Sequence, residues 1–239
     1  MPRDSFEVTT DPPPPAADER LVYGPEPLQF GDLRRARDGD EDSLAVVLHG
    51  GSWRSTYNLI HLGHLCIALR DVGIATFNVE YRRVGDPGGG WPASFDDVAR
   101  ALEFARGLAS RLVVVGHSAG GHLGLLAAAR LTVPVVALAP VADPATWDNP
   151  AVEAFFGRRP PPPEGSPLAQ LPLGFPHVVM HGTEDSVVPF DQAARYAEAS
   201  RGEVELVPFP GAGHFEPIDP LAPESAAVCD VIRRVLAAP

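Results

Sequence analysis

Three residues of this chain, Ser118, Asp185 and His214, have the types and surroundings that nucleophilic catalysis requires. A serine hydroxyl is a weak nucleophile at neutral pH, so it needs a base to take its proton and a carboxylate to orient that base. Each of the three follows a strand-like apolar run, and catalytic groups of open α/β sheets gather at the carboxyl ends of strands. The sequence therefore predicts a Ser-Asp-His triad at one edge of a sheet.

Ser118 stands at an abrupt junction in the stretch VVVGHSAGGHLGLLAAA, between a strand-like run and a helix-like run. The surrounding GHSAG fits the pattern G-x-S-x-G, in which a strained turn lifts the serine above the sheet and flanking glycines avoid collisions. The helix that follows presents free N–H groups to a developing negative charge. A serine that only caps a helix is the alternative, and the preceding strand favours the nucleophile.

The base and the carboxylate are predicted from two loops farther along the chain. His214 lies in PFPGAGHFEP, a loop between the last strand-like run and the final helix. Asp185 lies in HGTEDSVVP, the loop after the preceding strand-like run. Glu184 is a rival carboxylate, but the spacing H-G-x-x-D followed by Val-Pro favours Asp185.

A second glycine-rich loop offers donors for the oxyanion of a tetrahedral intermediate. The residues HGGSW follow the first strongly apolar strand, where an H-G-G-type loop supplies backbone N–H groups. The predicted oxyanion hole consists of the N–H groups of Gly51 and Ser52 and that of Ala119, the residue after the nucleophile. An ordinary glycine turn is the alternative for this loop.

Several further side chains have both a functional and a structural interpretation. Trp53, His117 and Trp147 are weak candidates for a substrate pocket, and core packing is the alternative for each. Arg82 and Arg83 carry charges that suit a substrate carboxylate, but ion pairs with Glu80 or Asp97 are favoured. Four other histidines are interpreted as packing or surface residues: His61, His64, His122 and His181.

No metal or cofactor is predicted. His61 and His64 lie three apart on a predicted helix, but no third ligand stands near them in the sequence. The two cysteines, Cys66 and Cys229, are too few for a disulfide framework or a four-thiolate zinc site, so both are predicted to be reduced and largely buried.

The positions of these residues depend on elements that alternate between strand and helix. Continuous apolar runs fit strands buried on both faces, and their alternation with helical patterns predicts a doubly wound, mostly parallel sheet. The predicted strands are Leu44–Leu48, Ile74–Val79, Leu112–Val115, Val133–Leu138, His177–Met180 and Val204–Phe209. The predicted helices are Asn58–Val72, Ala93–Leu108, Ala119–Leu131, Phe190–Ser200 and Ala222–Leu236.

Composition and charge limit the organisation and the partners of the chain. The proline-rich residues 1–20 are predicted to be a flexible leader outside the fold, residues 21–239 a single domain, and residues 141–175 an irregular cap-like insertion. The net charge of −12 disfavours nucleic acid and anionic membranes as partners. Because the start lacks a signal-peptide core, a cytoplasmic location is expected. The sequence does not fix the oligomeric state, and a homodimer is compatible with it.

These motifs resemble those of the α/β-hydrolases, and in particular of small esterases such as kynurenine formamidases and feruloyl esterases. The resemblance spans approximately Leu21 to Ala237 and is carried by YGPEPLQFGDL, HGGSW, NVEYRR, GWPASFDDV and GHSAGG. It implies a metal-free serine triad that hydrolyses an ester or amide of a small acid. The short interval between Ser118 and Asp185 implies a small lid.

The resulting hypothesis is a carboxylesterase that cleaves a small acyl or aryl ester through an acyl-enzyme intermediate. An arylformamidase that opens an N-formylkynurenine-like substrate, and a small peptidase of the prolyl-oligopeptidase type, remain alternatives. A ligand-binding protein that retains the fold without catalysis is a remote alternative, because such proteins usually lose a triad member and this chain retains all three.

Overall fold

A computed structural model of the chain describes residues 9–37 and 42–238, and within them eight strands form one sheet. The strand order across the sheet is β1-β2-β4-β3-β5-β6-β7-β8. The strands are β1 (Glu19–Val22), β2 (Phe30–Arg34), β3 (Ser43–Leu48), β4 (Ala75–Val79), β5 (Arg111–His117), β6 (Val135–Leu138), β7 (His177–Gly182) and β8 (Val204–Phe209).

The six strands from β3 to β8 are parallel, and they match the six that the apolar runs predict. The predicted doubly wound, mostly parallel sheet is confirmed. The sequence analysis missed β1 and β2, which pair antiparallel at one edge. Polar residues interrupt these two strands, and Arg20 and Asp32 face each other across them with Nε 2.7 Å from Oδ1.

Six helices flank the sheet among the described residues. Residues of α1 and α6 pack on one face of the sheet, and residues of α2, α3 and α5 pack on the other. In β3, Leu44, Val46 and Leu48 join one core and Ala45 and Val47 the other, so both faces of that strand are buried. The helices are α1 (Gly63–Asp71), α2 (Ala93–Ala105), α3 (Ala119–Leu131), α4 (Pro150–Phe156), α5 (Asp191–Ala199) and α6 (Glu224–Ala237).

The insertion at residues 141–175 is not irregular throughout, because it contains α4. Asn149 caps this helix by accepting the N–H of Ala151, and Gly157 ends it in the left-handed conformation. The prolines in this segment predict irregular structure. Pro150, however, stands in the first turn, where its missing N–H costs no hydrogen bond.

The prediction that residues 1–20 lie outside the fold is wrong for the part that the structure describes. The carbonyl oxygen of Pro12 lies 2.7 Å from Nε2 of His64 in α1, and that of Pro15 accepts from Nη2 of Arg34 at 2.9 Å. Prolines lack an N–H but keep a carbonyl, so side chains of the domain anchor this segment. Residues 1–8 lie outside the described chain.

Candidate active site

Ser118 lies on a strained turn between β5 and α3. Its φ of 55° and ψ of −118° are unusual for a residue with a side chain, and its N–H donates to the carbonyl of Leu138 at 2.9 Å. A Cβ on Gly120 would lie 2.1 Å from the oxygen of Leu48, and one on Gly116 would lie 2.4 Å from the oxygen of Gly120. The glycines of GHSAG therefore permit the close backbone packing on which the turn depends.

The HGG loop after β3 lies against this turn. A Cβ on Gly50 would lie 3.0 Å from Cβ of Ser118, so the loop backbone passes close beside the serine. Gly51, Ser52 and Trp53 all have positive φ, of 106°, 53° and 56°. The N–H of Val84 donates to the carbonyl of Trp53 at 2.8 Å and fixes the far end of the loop.

A buried ion cluster supports the same loop. Nε2 of His49 lies 3.0 Å from Oε1 of Glu80, and Nη1 of Arg83 lies 2.8 Å from that oxygen. Burial alone would raise the pKa of Glu80, but His49 and Arg83 lower it overall. The hydroxyl of Tyr81 donates to the carbonyl of His49 at 2.7 Å, so the NVEYRR motif positions the HGG loop.

Arg82 and Arg83 form the ion pairs that the sequence analysis favoured. Nη2 of Arg82 lies 2.7 Å from Oδ1 of Asp97, while Arg83 reaches Glu80. The role of Glu80 beneath the HGG loop was missed, although the motif itself was recognised. Nothing in a single sequence shows that this carboxylate turns toward His49.

Asp185 and His214 form a buried hydrogen-bonded pair at the carboxyl edge of the sheet. Nδ1 of His214 lies 2.7 Å from Oδ2 of Asp185. The other carboxylate oxygen accepts the N–H groups of Val187 and Val188, each at 2.8 Å. Burial would raise the pKa of Asp185, but hydrogen bonds from His181 and His214 hold it well below its usual range. The carboxylate is therefore ionised and can orient the imidazole with Nδ1 protonated.

A histidine pair joins the loop of His214 to the serine turn. His117, the residue before Ser118, places Nε2 3.0 Å from the carbonyl oxygen of His214 and Nδ1 2.9 Å from Nε2 of His61. A carbonyl can only accept, so we assign the proton of neutral His117 to Nε2 and a donating Nε2–H to His61. Burial lowers the pKa of both rings well below the usual histidine value.

The side chain of His117 is buried and its ring holds the loop of His214 in place, and its role in a substrate pocket stays a prediction. The other two candidates, Trp53 and Trp147, are likewise buried, and their role in a substrate pocket stays a prediction. Trp53 is 0% exposed and stacks on Phe155 of α4 with ring centroids 4.5 Å apart. Trp147 is buried beside it, with ring centroids 6.0 Å apart. Aromatic side chains bury large areas, and α4 supplies the surface that covers them.

The sequence analysis also missed a second histidine on the carboxylate. His181 belongs to the same H-G-x-x-D motif as Asp185 and places Nε2 3.0 Å from Oδ2. The spacing of four residues was a usable signal, because a strand end followed by a tight loop returns toward its own last residues.

Among the residues that the structure describes, no group of three or more His, Cys, Asp or Glu side chains has the arrangement of a metal site. No helix in the same residues has the length and apolar character needed to cross a membrane. Cys66 and Cys229 are both buried free thiols.

Two observations define the class of this protein. The first is a mostly parallel sheet with helices on both faces, and the second is the strained serine turn directly after β5. Together they identify an α/β-hydrolase.

Comparison with family models gives the family. A serine hydrolase model matches residues 91–219, which is more than half of the chain, and a BD-FAE model matches residues 33–135. The chain belongs to the serine hydrolase family.

The chain is similar to several esterases. It is 26% identical over 244 residues to Esterase LipC of Mycobacterium tuberculosis, covering 84% of this chain and 60% of LipC. The chain thus spans only part of the length of that relative.

Two solved structures share the fold. The bifunctional GH43-CE of Bacteroides eggerthii superposes with a TM-score of 0.77 at 22% identity, over 94% of this chain and 39% of its own. The propionate-bound esterase Est2 of Thermogutta terrifontis has a TM-score of 0.73 at 20% identity, over 94% and 97% of the two chains. At these identities the likeness is one of fold.

Proposed function

We propose that this protein is a carboxylesterase whose nucleophile is Ser118, with His214 as base and Asp185 as the carboxylate that orients it. The observation that carries the proposal is the 2.7 Å contact between His214 and Asp185, in a loop that His117 ties to the serine turn. Membership of the serine hydrolase family and the similarity to Esterase LipC support it.

In the proposed reaction the Ser118 hydroxyl attacks the acyl carbonyl while Nε2 of His214 takes its proton. The imidazolium is stabilised by Asp185, and it then protonates the departing alcohol. The N–H groups of Gly51, Ser52 and Ala119 are proposed to stabilise the oxyanion, and the closeness of Gly50 to Ser118 supports that assignment. Water, deprotonated by the same histidine, then releases the acid and frees the serine.

The proposed substrate carries a small acyl group. Trp53, Phe155 and Phe156 fill the space between the HGG loop and α4, and Trp53 is fully buried there. The side chain of His122, one helical turn after Ser118, packs edge-on to Trp53 with centroids 5.1 Å apart. A long acyl chain would have to displace these rings. The propionate bound to Est2 is a ligand of that protein and is consistent with a short acyl group here.

The test is hydrolysis of p-nitrophenyl acetate by wild type and Ser118→Ala. We expect kcat to fall at least ~10⁴-fold, since loss of the nucleophile removes the covalent route. The matched control is Ser110→Ala, because Ser110 is exposed and lies just before the opposite end of β5. A fluorophosphonate probe should label wild type and the control but not Ser118→Ala. Full activity of Ser118→Ala would refute the assignment.

A panel that adds N-formylkynurenine and a dipeptide amide separates the ester from the formamide and peptide alternatives. A preference for the formamide would make the protein an arylformamidase with the same triad. Several expectations stay predictions from the sequence. They are a cytoplasmic location, no nucleic-acid or membrane partner, no cofactor, and a possible homodimeric state.

A further inference from the structure

One oxygen of Asp185 contacts two imidazoles. Nδ1 of His214 lies 2.7 Å from Oδ2 and Nε2 of His181 lies 3.0 Å from the same atom. The side chains of Asp185 and His181 are 0% exposed, so water does not compete for that oxygen. A catalytic carboxylate needs only one imidazole, and the second one requires an explanation.

The protonation of His181 follows from its other neighbour. Nε2 also lies 2.9 Å from the carbonyl oxygen of Val188, and both that oxygen and the Asp185 carboxylate are acceptors. The hydrogen is therefore on Nε2 and is shared between the two. Nδ1 of His181 is buried without a hydrogen-bond partner among the described residues. A second proton there would be an unsatisfied buried donor, so the contacts fit His181 as a donor through Nε2.

This donor completes the coordination of the carboxylate. Oδ1 accepts from Val187 and Val188, and Oδ2 accepts from His181 and His214. Rotation of the carboxylate about its Cβ–Cγ bond would break all four contacts. His181 belongs to β7, a strand paired on both sides, whereas Asp185 and His214 lie on loops. The sheet thus holds Oδ2 at the base through His181.

The same contact changes the electrostatics of the pair. A hydrogen-bond donor withdraws part of the negative charge of Oδ2, so that oxygen stabilises the His214 imidazolium less than a carboxylate with a single imidazole partner would. Loss of the His181 donor would therefore strengthen the interaction between Asp185 and the imidazolium. The neutral form of His214 is the one that accepts the serine proton, so the strength of this interaction is expected to set the acid limb of the activity profile.

We propose that His181 is a positioning residue of the active site, which fixes the direction of the Asp185 carboxylate and extends activity toward acidic pH. The proposal rests on the proposed function for its kinetic readout. Other titratable groups face the pair and remain in place in the test variants. His117 has its ring centroid 4.6 Å from that of His214, His61 lies behind His117, and Glu216 accepts the N–H of Gly213 at 3.1 Å.

The test compares His181→Leu with His181→Gln. Leucine fills the space without a donor, whereas the side-chain amide of glutamine reaches the position of Nε2 and still donates. We expect the acid limb of the kcat/KM profile for p-nitrophenyl acetate to move about half to one pH unit upward in His181→Leu. On the acid limb, well below both midpoints, this lowers kcat/KM about three- to tenfold. His181→Gln should restore most of the shift.

A matched control lies on the same strand. His177 is at the opposite end of β7, and its Nε2 lies 3.1 Å from the hydroxyl of Tyr196, away from the site. His177→Leu also removes a buried hydrogen bond and should leave the acid limb unmoved. Folding of every variant is checked by circular dichroism. A folded His181→Leu protein with an unmoved acid limb overturns the proposal, and so does a His181→Gln protein that behaves like His181→Leu.

A second readout does not depend on turnover. In the Ser118→Ala background, the far-downfield NMR resonance of the His214 Nδ1 proton reports directly on its bond to Asp185. Its titration midpoint should rise when His181→Leu is added and return with His181→Gln. If the wild type hydrolyses none of the substrates, the proposed function fails while this titration still decides the role of His181. An identical midpoint in all three proteins would reject that role.

Discussion

Two regions joined to the serine turn, through His117 and His122, are held together in different ways. On one side, which we call the histidine–carboxylate side, donors and acceptors meet at 2.7 to 3.0 Å. On the other, the aromatic side, rings pack with centroids 4.5 to 6.3 Å apart. The first contains His61, His117, His181, Asp185 and His214, and the second contains Trp53, His122, Trp147, Phe155 and Phe156.

The two kinds of contact suit two parts of the proposed reaction. Proton transfer requires an atom at a defined distance and direction, and hydrogen bonds are directional. Fitting an acyl group requires a volume of a given shape, and packed rings determine volume. We therefore expect variants on the histidine–carboxylate side to change the rate, and variants on the aromatic side to change stability and acyl preference. Variants on the two sides should separate these effects.

The largest effect is expected on the histidine–carboxylate side, from Asp185→Asn. The amide cannot hold the imidazole in the required tautomer, so kcat should fall about 10³- to 10⁴-fold, or about 5 kcal/mol in barrier height. Oδ1 can still accept from Val187 and Val188, so the free energy of unfolding should fall by only about 1–2 kcal/mol. Hydrolysis assays measure kcat, and urea unfolding measures the free energy of unfolding. More than a tenth of wild-type kcat would contradict the assigned role.

The next effect is expected on the aromatic side, from Phe155→Ala. Removing the ring that stacks on Trp53 leaves a cavity, so the free energy of unfolding should fall by about 3 kcal/mol. The same cavity should raise the ratio of p-nitrophenyl butyrate to acetate hydrolysis about tenfold, because each methylene gains a place to pack. The kcat/KM for the acetate ester should change less than tenfold.

Phe77→Ala is the control for that experiment, since Phe77 is fully buried in β4 and does not belong to the aromatic side. It should cost similar stability without changing the acyl ratio. If both variants change the ratio equally, the effect is a general loosening of the fold. If Phe155→Ala leaves the ratio unchanged, the aromatic side does not limit acyl size.

The difference between the two sides also explains which parts of the site could be predicted from the sequence. The turn at Ser118 was predictable because its glycines and flanking apolar run are dictated by backbone geometry at neighbouring positions. Asp185 and His214 were predictable as candidates because strand ends of a parallel sheet share one edge. The 2.7 Å contact between them could not be predicted, because it depends on the three-dimensional structure of two separate loops.

The packing of the aromatic side was harder to predict from the sequence, because its packing partners are distant in the chain. Trp53 was a weak pocket candidate with core packing as the alternative, and Phe155 and Phe156 of α4 cover it in the structure. The helix α4 was not predicted, because prolines suggested irregular structure. A proline is nevertheless compatible with the start of a helix, as at α4. The spacing of His181 and Asp185 indicated that the two side chains lie close together, but a buried histidine in a strand has the same sequence signature whether it donates or merely packs.

The smallest effect concerns His122, the histidine of the aromatic side. Burial lowers its pKa to about 4, while the hydrogen bond to the carbonyl of Gly165 acts in the opposite direction. A histidine in the unfolded chain titrates near 6.5, so below that pH the unfolded state binds a proton that the native state does not. The contribution of His122 to the free energy of unfolding is therefore fully present above pH ~6.5 and is lost as the pH falls toward 4. At pH 5 the loss is about 2 kcal/mol.

The variant His122→Gln separates this titration from the hydrogen bond, because the glutamine amide can donate to Gly165 without titrating. Urea unfolding at pH 7 and pH 5 should show a stability loss that is smaller in the variant by about 2 kcal/mol. The remaining loss belongs to other buried histidines, since burial also lowers the pKa of His61, His117 and His177. Equal losses in the two proteins would mean that acid acts through groups other than His122, and that the aromatic side contributes packing without a titrating group.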